Sequence, residues 1–188
     1  MLVRTFAAAF VLAVAAMPAF AADDILSAID QARKAYQSGD LANAKQSLDL
    51  ASQLIGQKNA EGFAALLPAP LPGWKAEQAQ TSAVGAVGFG ASQASRAYTN
   101  VKGDNVEVQI TGDSVIIAQI ATFLANPGIV GAMGKVTRVG TLNAIIGSDG
   151  DIHMVVANKF LVLVQGSAPA DAKMTYARAV DVAKLAKM

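Results

Sequence analysis

The chain has 188 residues, 53% of them hydrophobic, 15% charged and 6% aromatic, with one His and no Cys. Fifteen Lys and Arg against fourteen Asp and Glu give a net charge of +1, which is no electrostatic footprint for nucleic acid or for an acidic membrane surface. The missing Cys excludes disulfides, thiolate metal sites, cysteine nucleophiles and lipid attachment at an N-terminal cysteine; a single His leaves little for general acid–base chemistry, so composition argues against most enzymes.

Residues 1–21 read as a signal peptide. Arg4 forms the positive n-region, Phe6 to Met17 is an uninterrupted apolar run, Pro18 breaks it, and Ala19-Phe20-Ala21 is a small-x-small cleavage site. Asp23 and Asp24 follow at once, leaving the apolar run short for a bilayer span. Without a twin Arg, a Sec-type route is expected, with cleavage after Ala21 and a periplasmic mature chain that has no transmembrane segment.

Residues 22–57 are expected to form a helical hairpin. Ile25, Ile29, Ala32 and Tyr36 recur at helical spacing, Ser38-Gly39-Asp40 interrupts, and Leu41, Ala44, Leu48, Ala51 and Ile55 make a second stripe that Gly56 ends. Two amphipathic helices with a tight turn make an antiparallel hairpin, expected to dock on something else. Ala32, Tyr36, Gly39, Asp40, Leu41, Ala44, Leu48 and Ala51 stand where tetratricopeptide repeats place small, aromatic, turn and packing residues, so residues 32–51 resemble part of one such repeat. That resemblance implies a helical hairpin; with no second copy in the chain, it implies no repeat-array peptide binding.

Residues 58–73 read as a Pro-rich apolar connector, with a helical turn or two over Glu61 to Leu67, then Pro68, Pro70 and Pro72 on an extended path. Trp74, the only Trp, is expected to anchor the start of the domain over 74–188. From there the period changes to two. A first strand is expected over Lys75–Gln80, then a hairpin of Ala94–Val101 and Val106–Thr111, a helix over Val115–Ala125 stopped by Asn126-Pro127-Gly128, and a meander of Val136–Ile146, Asp151–Ala157 and Lys159–Gln165. Phe160 to Val164 is apolar on both faces and should be a central strand; Pro169 opens a last helix. The glycines at 85, 88 and 90 are in the wrong order for a dinucleotide fingerprint and read as a loop.

The fold expected is α+β: an N-terminal antiparallel helical hairpin followed by a mainly antiparallel sheet with two helices packed on it. The leader, Leu71-Pro72-Gly73-Trp74 and this domain together resemble small exported proteobacterial proteins of uncharacterised function, which implies export and fold and carries no activity across.

No catalytic or metal motif stands out. His153 with Asp149 and Asp151 lacks a fourth ligand, Asp149-Gly150-Asp151 lacks the closing Glu of a calcium loop, and a Ser148–His153–Asp151 set would lie on a single hairpin. No cofactor is implied. The feature that carries a functional expectation is the charge-free run from Val115 to Gly134. In it, Phe123, Leu124, Ile129, Val130 and Met133 form a candidate apolar contact surface for an envelope protein or a hydrophobic ligand. The reading is a non-enzymatic periplasmic binding or interaction protein, with a carrier of small hydrophobic molecules as the alternative and an enzyme behind both.

Overall fold

The computed structural model describes residues 23–83, 91–112, 117 and 134–188. It begins with helix α1, Asp24–Gln37, whose first turn is capped by the Asp23 carboxylate accepting from the backbone N–H of Ile25 and Leu26. Gly39 then turns the chain at φ +80°, a conformation that suits a residue without Cβ, and Asp40 caps helix α2, Leu41–Leu66, by accepting from the Asn43 N–H. That hydrogen bond holds the Asp40 carboxyl below its ordinary pKa.

The second helix does not end at Gly56; it continues through the first part of the expected connector. Gly56 sits where α2 crosses the sheet: a Cβ there would lie 3.1 Å from the Ala83 Cβ and 3.5 Å from the Ser92 Oγ. The glycine is a close-approach residue, and the helix stops instead where Pro68 forces Leu67 into an extended conformation at ψ 135°.

Among the described residues eight strands follow in one sheet: β1 Trp74–Ala76, β2 Gln80–Ala83, β3 Ser92–Asn100, β4 Asn105–Gly112, β5 Lys135–Val139, β6 Leu142–Ile146, β7 Ile152–Val156 and β8 Phe160–Gln165. Every pairing is antiparallel, in the order β1-β3-β4-β8-β7-β6-β5, with β2 also on β3. The expected first strand is two short ones along the same edge of β3. Trp74–Ala76 pairs with Tyr98–Asn100, Gln80–Ala83 pairs with Ser92–Ser95, and residues 77–79 face only Arg96 and Ala97, so the edge carries a bulge. The expected strand 136–146 is a hairpin folded at Gly140, φ +59°, between β5 and β6. Ala157 and Asn158, both at positive φ, turn β7 into β8.

Strand β8 is central, between β4 and β7, as its composition predicts. Alternation places Val106, Val108, Ile110, Ile152, Met154, Val156, Phe160, Val162 and Val164 in the core. Their face meets Phe63 of α2 and Tyr176 of helix α3, Ala170–Ala179; a last turn, α4 Val182–Leu185, buries Leu185 in the same core. Two N-terminal helices that pack together, an antiparallel sheet and two C-terminal helices make this an α+β fold.

Candidate functional site

The hairpin is built on a seam of small residues. In α1 only Ala28 and Ala32 are buried, and in the first half of α2 only Ala44 and Ala51. Alanines let two helices approach closely, and a narrow seam has no room for large side chains. Large residues of the two stripes are therefore displaced outward. Ile29 and Tyr36 of α1 and Leu41, Leu48 and Ile55 of α2 are between 42% (Ile29) and 70% (Tyr36) exposed. Helix phase sets these five on the same flank of the antiparallel pair, within about a quarter-turn of the seam. Leu50 projects from the opposite flank, where a shallow groove of ≈ 270 Å³ is lined by Ser27, Gln31, Leu50 and Leu54. The charged residues beside this five-residue flank are paired on their own helices, Arg33 to Asp30 at 3.0 Å and Lys45 to Asp49 at 2.6 Å.

The sequence-derived contact residues Phe123, Leu124, Ile129, Val130 and Met133 lie outside the described residues, as do the glycines at 85, 88 and 90. Of the run 115–133 only Ile117 is described, and it is buried. His153 is on β7, on the sheet face opposite the core, between Ile145 and Leu163 across the register. Asp151, two residues from His153, is the partner of a buried cation. The Lys173 ammonium, on α3 and 2% exposed, donates to Asp151 Oδ1 at 2.9 Å and to the carbonyls of Asp149 and Gly166, both at 3.2 Å. All three of its protons are used, so this cluster is a clamp from α3 to two loops. Among the described residues no group of three or more His, Asp or Glu is placed to hold a metal ion.

Nothing matches this chain among protein-family models, curated proteins or solved structures. Its surface chemistry therefore has to be read from its own geometry.

The connector after α2 is strapped to the sheet by aromatic residues. Tyr98 donates to the Pro68 carbonyl at 2.6 Å, and the Leu71 N–H donates to the Tyr176 hydroxyl at 3.3 Å. The Tyr98 and Tyr176 rings lie 4.4 Å apart, and Trp74 meets Tyr176 edge-on at 5.4 Å. Burial pushes the Tyr98 hydroxyl up to about 12 and raises Tyr176 as well. Trp74 thus packs against the core as its anchor role requires, while its other side borders a groove of ≈ 470 Å³ shared with Lys75, Thr99, Asn100 and Val101. Sequence reasoning missed the apolar flank of the hairpin. The signal that reveals it is the division within each stripe, with alanines at the centre and Ile29, Tyr36, Leu41, Leu48 and Ile55 displaced to one side.

Proposed function

We propose that this chain is a non-enzymatic interaction protein of the bacterial periplasm, and that it meets a protein partner through the apolar flank of its α1–α2 hairpin. The observation that carries the reading is the exposure of five large apolar residues, Ile29, Tyr36, Leu41, Leu48 and Ile55, on one side of a hairpin whose seam is filled by alanines. Monomeric proteins seldom leave so much apolar surface contiguous. Export rests on the leader-like composition of residues 1–21, and among the described residues no helix is long and apolar enough to cross a membrane.

A photo-crosslinking amino acid placed at Tyr36 or Leu48 in living cells should give one recurrent protein adduct, and the same probe at Val101, on the far hairpin tip, should not. Adducts equally frequent from all three positions would remove the basis for the reading. Native mass spectrometry of purified protein provides the contrast: a retained lipid or other apolar small molecule would favour a carrier instead. N-terminal sequencing should begin at Ala22, and a purified chain that still began at Met1 would defeat the export assignment.

A further inference from the structure

Resting on that reading, we infer that the partner on the hairpin flank is a second copy of this chain, docked about a two-fold axis that passes close to Leu48. Leu41, Leu48 and Ile55 are spaced by seven, and all three are exposed. Rotating a second copy about an axis at the central residue sets Leu48 against Leu48 and each Leu41 against the other copy's Ile55. A row with this symmetry is its own complement, as a two-fold interface requires. Ile29 and Tyr36 of α1 extend the same flank, so two hairpins laid face to face form a four-helix arrangement with an apolar centre.

Area and charge support the same occupant. At their observed exposures the five residues leave on the order of 550 Å² per copy, and the exposed Lys45 and Ser52 between them bring the flank toward the roughly 800 Å² per partner of a standard stable interface. That is at the upper end of the largest apolar patch of a typical monomer, about 300–600 Å². The two cations beside the flank, Arg33 and Lys45, are each neutralised by an acid on their own helix. A second copy therefore brings no uncompensated like charge against the first, and the flank offers no net charge to select an acidic or basic partner.

The test is the mass of the full chain, expressed with its leader and purified after processing, measured by sedimentation at tens of micromolar. A dimer is expected. Leu48→Glu should weaken it by about tenfold or more, since it sets two carboxylates on the apolar centre of the interface. Leu48→Gln should act in the same direction with a smaller effect, and Leu50→Glu on the opposite flank should leave the mass unchanged. Both positions are exposed, so circular dichroism should show an unaltered fold in all three variants. Because the chain has no Cys, Leu48→Cys is a clean second probe and should give a disulfide-linked dimer on mild oxidation. A monomer with no Leu48→Cys cross-link overturns the proposal, as does a dimer indifferent to Leu48→Glu. A monomer whose hairpin still photo-crosslinks to a different envelope protein overturns self-association alone and leaves the interaction reading intact. A monomer with no cross-links from the flank overturns both.

Discussion

Lys173 shows how a single residue can be decisive without being functional. Its ammonium is 2% exposed and has three acceptors, one of them the Asp151 carboxylate. Burying an ion pair brings little net stability, but breaking one leaves a buried group unpaired. Lys173→Ala should therefore cost about 3–5 kcal/mol in urea unfolding. Asp151→Asn keeps an acceptor oxygen and should cost less, about 1–2 kcal/mol. His153 sits two residues away on β7 but points from the other face of the sheet, with neighbours on its register that are apolar. His153→Gln should remain within about 1 kcal/mol of the parent, the range of a partly exposed substitution away from any network. Equal losses for Lys173→Ala and His153→Gln would show that the clamp is not what holds α3.

Helix α2 performs two tasks along its length. Its second half buries Ala60 and Phe63 against the sheet, where Phe63 meets Phe160 edge-on at 5.6 Å; its first half carries Leu41 and Leu48 in the open. Phe63→Ala should cost about 3–5 kcal/mol, as large-to-small changes do in packed cores. Leu48→Ala, measured at concentrations where the chain is monomeric, should stay within about 0.5 kcal/mol. Between the halves, Gly56→Leu should cost about 1–3 kcal/mol by wedging α2 away from Ala83 and Ser92. This element also shows what the sequence conveyed and what it hid. Helical spacing identified both hairpin helices, period two identified the paired strands β3 and β4, and a run apolar on both faces identified the central position of β8. The end of α2 was misplaced because a glycine can mark either a helix stop or a close crossing, and only the neighbouring strand distinguishes them. The strand expected over 136–146 concealed a turn for a related reason: Gly140 reads as a pause in a strand until its positive φ is known. Spacing marks the two hairpin stripes but does not say for which of their large and small members the seam has room. Alanine wins that competition by allowing the closer approach.

At the scale of the molecule, the hairpin, the sheet and α3 meet at one strap. The chain from Pro68 to Leu71 leaves α2, and its backbone is held by Tyr98 of β3 and Tyr176 of α3. Both hydroxyls have pKa values raised by burial, Tyr98 to about 12. An unfolded tyrosine titrates near 10, so the folded state favours the neutral phenol. The sign follows from linkage: the contribution is fully present below pH 10, the unfolded value, and is lost as pH rises through the folded value near 12. For Tyr98 this amounts to on the order of 3 kcal/mol across that window. The protein should thus show a steep alkaline loss of stability above pH 10, visible in urea midpoints taken at successive pH values. Tyr98→Phe removes the ionisable group together with its hydrogen bond to Pro68. It should lower stability by about 1–2 kcal/mol at neutral pH and flatten the alkaline limb, so that the variant and parent curves converge as the pH rises. A variant curve that ran parallel to the parent through this window would show that the Tyr98 hydroxyl is not the group that ionises, and that the strap is held by packing of its rings alone.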